Sequence, residues 1–344
     1  MTASAESSAL QARVGHWYRM DNTYLVGREK LREYARAVQD YHPAHWDVEA
    51  ARALGYADVI APITFTSAPG MTCNRHMFEQ VVVGYDTYLQ TEEVFEQHRP
   101  IVAGDELVVD VELTSVRRVA GRDMITVTNT FTDVGTGERV HTLHTTVVGV
   151  TAEDLDPTIK TAVQNAMMHD VDFSGVASLD GEFHKTTRPE GAATISAGGL
   201  TRTPGTPRFE DLEVGAELPV RHTRLSRGDL VNYAGVAGDA NPIHWDEEIA
   251  KLAGLPDVIA HGMLTMGLGA GFVSAWSGDP GAVLRYSVRL SAPAVVSAKE
   301  GADIEFGGRV KSLNPEDRTG VVVITAKSGG KKIFGMATME IRFR

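Results

Sequence analysis

Hydrophobic and β-branched residues gather into short runs at Glu92–Gln97, Glu106–Val116, Asp123–Thr132 and Arg139–Val150, and again at Ala282–Ser291, Ala302–Leu313, Gly320–Ala326 and Lys331–Phe343. Turn formers separate the runs, Asn314-Pro315-Glu316-Asp317 among them, so each set predicts an antiparallel meander. Ahead of the second set lies Val258–Trp276, which is apolar but for the single ionisable side chain of His261. A helix that is apolar all round either spans a membrane or is wrapped by a sheet. Glycines at 262, 267, 269 and 271, set in a globular pattern, favour the wrapped helix and no membrane span. Upstream, Ser226 and Asp229 carry the signature of a capping box opening a short helix to Val236, and Gly238-Asp239-Ala240-Asn241-Pro242 reads as a tight loop. Asp246-Glu247-Glu248 opens a second helix with an acidic first turn that suits the dipole, and Gly254 closes it.

The two halves repeat each other. Asp40-Tyr41-His42-Pro43-Ala44-His45-Trp46-Asp47 aligns with Asp239-Ala240-Asn241-Pro242-Ile243-His244-Trp245-Asp246 at an offset of 199, and five of the eight positions are identical. At the same offset Tyr34-Ala35 meets Tyr233-Ala234, Gly55 meets Gly254, and Asp58-Val59-Ile60-Ala61 meets Asp257-Val258-Ile259-Ala260. Downstream the halves drift by a few residues, and both show a proline junction, Pro100 and Pro293. One long buried helix with a curled antiparallel sheet, twice over, is an α+β double hot-dog. The expected organisation is a hot-dog domain over 10–150, a linker over 151–207 with prolines at 189, 204 and 207, and a second hot-dog domain over 208–344. A helix is expected in the linker over Asp156–Met168. So long a linker lets the second copy fold back beside the first, giving a monomeric pseudo-dimer or, by edge pairing, a homodimer.

Composition narrows the classes. The 344 residues, 43% hydrophobic, are enough for two ordinary cores. With 33 Lys+Arg against 45 Asp+Glu the formal charge is −12, which argues against a nucleic-acid partner. Cys73 is the only cysteine, so no internal disulfide, thiolate zinc cage or Cys-x-x-Cys pair can form. Residues 1–12 lack the basic-then-apolar order of a secretory signal, and a reducing cytoplasm fits.

Asp239 and His244 are the candidate catalytic pair. A carboxylate and an imidazole on a proline-stiffened loop can converge on one small molecule and exchange protons near neutral pH, as elimination of water requires. One would take the α-proton and the other protonate the departing hydroxyl. The plainer alternative makes Asp239 a helix cap and His244 a helix-start residue. Ala260-His261-Gly262-Met263-Leu264 then opens the apolar helix, whose free N–H groups suit an enolate oxygen. Gly262 and His261 are therefore candidate substrate-binding residues, with helix–sheet packing as the alternative for the glycine. Asn241 is a third candidate, to hold a water or orient the loop. Asp40 and His45 form a second candidate site. Gly267-x-Gly269-x-Gly271 resembles half a dinucleotide fingerprint, but its place inside a helix points to close packing, and no cofactor is expected. His42, His45 and His76 show no ligand spacing that repeats, so no metal is assigned. Arg117-Arg118, Lys331-Lys332 and Arg342-Arg344 are either solvated edge charges or contacts for an acidic carrier or a nucleotide phosphate.

Asp239-Ala-Asn-Pro-Ile-His244-Trp-Asp followed by Ala260-His-Gly-Met resembles the signature of MaoC-like dehydratases and R-specific enoyl hydratases, across nearly all of Phe209–Arg344. Asp229-Leu-Val-Asn-Tyr-Ala-Gly and Gly329-Gly-Lys-Lys-Ile-Phe-Gly resemble the catalytic half of the heterodimeric actinobacterial (3R)-hydroxyacyl-ACP dehydratase of type II fatty acid synthase. Residues 14–150, with Arg28-Glu-Lys-Leu-Arg-Glu-Tyr, Ala61-Pro-Ile-Thr-Phe and Arg99-Pro-Ile-Val-Ala-Gly-Asp, resemble its non-catalytic half, so the chain looks like that heterodimer fused. The resemblance implies a hydro-lyase acting on an acyl-ACP or acyl-CoA thioester, with acyl carrier protein as partner, Asp239 and His244 as dyad and Gly262 at the thioester. It implies that the first copy makes room for the acyl tail. Hydration of enoyl-CoA in degradation or polyester supply is the rival direction, and a non-catalytic acyl-binding hot-dog is the rival class. Pro62-Ile63 stand where the second copy has His261-Gly262, which removes a donor and adds bulk, so the first site is expected to be impaired although Asp40 and His45 persist.

Overall fold

The repeat folds as two similar units. The computed structural model describes residues 10–151, 155–167, 182–191 and 207–343. In the first unit β1 (Trp17–Met20) and β2 (Tyr24–Leu25) precede α1 (Arg28–Ala37), α2 (Val48–Ala53) and the central α3 (Ser67–His76). Strands β3 (Thr87–Gln97), β4 (Glu106–Val119), β5 (Arg122–Asp133) and β6 (Arg139–Val150) follow. After α4 (Ile159–Ala166) and β7 (Phe183–Thr186), the second unit runs β8 (Glu217–Leu225), α5 (Arg227–Ala237), α6 (Glu247–Leu252) and the central α7 (Gly262–Ser277). It ends in β9 (Val283–Leu290), β10 (Ala302–Asn314), β11 (Thr319–Ser328), β12 (Lys331–Lys332) and β13 (Phe334–Arg342). The fold is a double hot-dog.

Among the described residues all strands join one antiparallel sheet in the order β7-β1-β4-β5-β6-β3-β9-β13-β11-β10-β8, with β2 on β4 and β12 on β11. The units meet where β3 pairs β9, from Glu92 opposite Arg289 to Glu96 opposite Arg285. The sheet curls around α7, whose residues from Met263 to Ser274 are all buried. Its glycines are sites of close approach: a Cβ at Gly267 would lie 2.5 Å from Val38 Cγ1, one at Gly269 2.8 Å from the Tyr286 hydroxyl, and one at Gly271 3.2 Å from Asp40 Cγ. Close packing accounts for that glycine row. No helix among the described residues is long and apolar enough to cross a membrane.

The expected Lys331–Phe343 strand is broken at Ile333, whose side chain is buried and whose N–H bonds Ala326 O. The expected helix at Asp156–Met168 runs over Ile159–Ala166, and Met168 lies outside the described residues. The segment read as a linker carries a strand of its own. β7 pairs β1, and Phe183 stacks on Tyr18 and His76 at centroid distances of 5.4 and 5.6 Å. Pro204 and much of the rest of that segment lie outside the described residues.

Candidate active site

The repeated octapeptides fold alike, and each shared residue has a local task. Trp46 and Trp245 donate their indole N–H to Asp40 O and Ala240 O. His45 and His244 each meet a carbonyl through Nδ1, Ile60 O at 2.7 Å and Ile259 O at 2.8 Å. Asp47 and Asp246 cap the helices that follow, accepting from Ala50 N and Ile249 N. Asp58 and Asp257 each accept from the next backbone N–H and hold Arg28 and Arg227.

In the second copy Pro242–His244 form a single 3₁₀ turn behind Gly238, whose left-handed φ of 77° ends α5. Asn241 caps this turn, its side-chain oxygen accepting from Ile243 N at 3.3 Å, while its N–H donates to Asp239 Oδ1 at 3.3 Å. His244 is 7% exposed. Burial holds its imidazole below the usual 6.5, against the charge of Asp239 and the bond to Ile259 O. The neutral ring must then carry its proton on Nδ1, where the carbonyl accepts it, leaving a lone pair on Nε2.

His261, 1% exposed, stacks under His244 with centroids 3.7 Å apart and on Tyr233 at 4.9 Å. Its Nε2 donates to Asp239 O at 3.2 Å and its Nδ1 is buried without a partner. Burial and the neighbouring His244 push its pKa down to about 2, so it is a neutral prop beneath the pair. A cation there would be repelled by a protonated His244; a neutral ring is not. Asp239, His244 and His261 bring their donor atoms within 4.8 Å of one another. Tetrahedral zinc ligands stand roughly 3.3 Å apart with lone pairs converging, whereas these imidazoles stack face to face.

Gly262 begins α7 with His261 as N-cap, and the cap residue makes no side-chain capping hydrogen bond. The first-turn N–H groups therefore lack a cap there, which suits a developing negative charge. The space a Cβ would take at Gly262 is filled by Leu290 Cδ1 at 2.7 Å and Gln90 Oε1 at 3.0 Å, so packing also requires this glycine. Neither Gln90 nor Tyr233 stood out in the sequence as part of the site. Tyr233 was in reach, since it repeats Tyr34 and stands six residues before Asp239, whereas Gln90 comes from the other half of the chain, a separation no local pattern records.

In the first copy Asp40 Oδ2 lies 3.3 Å from His45 Nε2, and the two are 4% and 0% exposed. Asp40 is packed on Gly271, and His42 Nε2 donates to Gly278 O at the end of α7. Ile63 is buried, and α3 begins only at Ser67. Between Ile63 and Ser67, Thr64 O accepts from the Tyr34 hydroxyl at 2.7 Å. The pair is closed on itself and sealed beneath α7.

Residues 12–143 match the profile of a FAS1-like dehydratase domain region, and residues 210–326 match the MaoC like domain. A solved MaoC-like dehydratase is 74% identical, with a TM-score of 0.90, over 98% of this chain and all of that one. A UPF0336 protein of Clavibacter michiganensis subsp. michiganensis is 44% identical over 127 residues, 36% of this chain and 85% of its own length. A Mycobacterium tuberculosis protein described as having a double hotdog fold shares the fold at 16% identity, with a TM-score of 0.61 and 96% of each chain covered.

Proposed function

The chain belongs to the MaoC-like dehydratases, and from that premise we propose that it removes water from a (3R)-hydroxyacyl thioester, and returns it to the trans-2-enoyl thioester, with Asp239 and His244 as acid/base pair. The observation that carries this reading is the convergence of a neutral His244, the Asp239 carboxylate and the uncapped start of α7. In the dehydration direction Nε2 of His244 takes the α-proton while the enolate oxygen is held by the N–H groups at Gly262. The C3–O bond then breaks, and the proton passes from His244 through Asp239 to the departing hydroxyl, which leaves as water. His261 and Tyr233 keep the imidazole in place.

The second unit, residues 208–344, carries the chemistry in this reading, and the first, residues 10–150, accommodates the acyl tail. The carrier is acyl carrier protein, in fatty acid elongation. Lys331 and Lys332 are exposed, and the backbone of Lys332 and Ile333 bonds Ser291, next to the Leu290 that packs on Gly262. An exposed basic pair on the strand that bonds the residue after Leu290 suits an acidic carrier. The rival is enoyl-CoA hydration in the opposite physiological direction, by the same groups.

The test is absorbance-monitored hydration of trans-2-enoyl thioesters on CoA and on acyl carrier protein across chain lengths. Asp239→Asn and His244→Gln are expected to lose roughly 10²- to 10⁴-fold in kcat/KM. Since burial lowers the His244 pKa, the acid limb of the wild-type profile is expected below pH 6.5. Neutralising Lys331 and Lys332 should cost more on the protein carrier than on CoA. No turnover on any thioester would favour a non-catalytic acyl-binding module.

A further inference from the structure

We propose that Gln90, supplied by the first unit and oriented by the buried Glu93, is a substrate-contacting residue of the site at the start of α7; this rests on the thioester reading above. Along a regular strand, residues three apart face opposite sides of the sheet. In β3 the ladder to β6 slips between Gln90, opposite Val147, and Glu92, opposite Thr146, so Thr91 is an extra residue in a bulge. The bulge turns Gln90 onto the same face as Glu93. There Gln90 Nε2 donates to Glu93 Oε2 at 2.6 Å, and the Thr145 hydroxyl donates to Glu93 Oε1 at 2.7 Å. The carboxamide so held has its Oε1 3.0 Å from the Cβ position of Gly262 and its Nε2 3.3 Å from Met263 Sδ.

The other side of the molecule lacks this pair. Val94 faces Ser287 across the seam, and their separation of 193 matches that of Pro100 and Pro293, so a local two-fold relates β3 to β9. By that relation Gln90 and Glu93 correspond to Val283 and Tyr286. A buried carboxyl and carboxamide thus stand on β3 at the start of α7, whereas the corresponding positions on β9 carry a valine and a tyrosine whose hydroxyl donates to Met266 O. Burying a carboxyl group is unfavourable unless it is hydrogen-bonded, and Glu93, 2% exposed, has both oxygens engaged. Burial raises its pKa to about 8. The titratable group facing it from the packed elements is the Tyr34 hydroxyl on α1; β6 presents Thr145, β9 presents Val288 and α7 presents Met263.

The experiment uses the full chain with trans-2-butenoyl-CoA as substrate and butyryl-CoA as unreactive ligand. Gln90→Ala should raise KM, and the Kd for butyryl-CoA by calorimetry, on the order of tenfold, at a temperature where the variant is fully folded and beyond what the lost bond to Glu93 takes from its melting temperature. Glu93→Gln, which still offers Gln90 an acceptor, should raise KM and the butyryl-CoA Kd by less than Glu93→Ala does. Glu93→Ala should copy Gln90→Ala, and the double variant should be no worse than either single one. Wild-type KM and Kd in Gln90→Ala, or losses that only follow a lowered melting temperature, would overturn the proposal. Asp239→Asn in the same assay separates the two readings: if it too is unimpaired, the dyad assignment falls, while the butyryl-CoA measurement still decides on Gln90.

Discussion

At the scale of residues, two chemically identical pairs sit in different surroundings and differ in charge. Burial by itself drives both members of the first pair toward their neutral forms, but His45 and the His42 N–H hold Asp40 below its usual 3.8, and Asp40 holds His45 above its usual 6.5. Below the raised His45 value the pair is an ion pair, with Oδ2 and Nε2 3.3 Å apart, whereas burial favours neutral His244. The Asp40 contribution to stability is present above pH 3.8 and is lost as pH falls through its lowered value. The His45 contribution is complete below pH 6.5 and is lost as pH rises through its raised value. Asp40→Asn should therefore lower the stability by about 3 kcal/mol near pH 5.5, where both groups are charged, and by less above the raised His45 value, as read by urea unfolding. Turnover should be nearly intact after Asp40→Asn with His45→Gln; a large loss would restore the second site.

At the scale of elements, much was legible because it is local. The capping box at Ser226, the left-handed Gly238, the apolar run that becomes α7 and the meander of β9 to β11 each announce themselves within a dozen residues. The loop carrying Asp239 and His244 was legible for the same reason. What escaped is set by partners far along the chain: β7, fixed by Phe183 against Tyr18 and His76, the short β1, and the bulge that aims Gln90. The glycines of α7 divide by what faces them. Gly267→Ala gains up to about 1 kcal/mol of helix propensity but drives a methyl into the branched Cβ of Val38, 2.6 Å away, an overlap worth about 1–3 kcal/mol. It should lower the denaturation midpoint, whereas Gly235→Ala on α5, with nothing within 4 Å, should raise it. Equal effects would mean that α7 shifts freely in its groove.

At the scale of the whole molecule, the two units are closed into one by the β3–β9 ladder and by α7, which takes Val38, Asp40 and His42 of the first unit along its length. A chain cut between Gly191 and Pro207 should reassemble: the pieces co-expressed should co-purify and turn over enoyl thioester, and 207–344 alone should aggregate or be inactive, since its β9 edge and the Leu290 side of the site would be bare. Activity of that piece alone would locate every needed group in the second unit.

The single covalent chain across that seam has a consequence for how the protein can change. In an assembly of two identical protomers every substitution arrives twice, so a side chain that improves one pocket is also forced upon the other. Here proline and isoleucine could enter at 62 and 63 while histidine and glycine stayed at 261 and 262, and a polar pair could settle on β3 while its counterpart on β9 remained valine and tyrosine. Because the two halves are distinct in sequence, in the reading proposed above the first is free of the chemistry and can serve as a wall of the site at the start of α7.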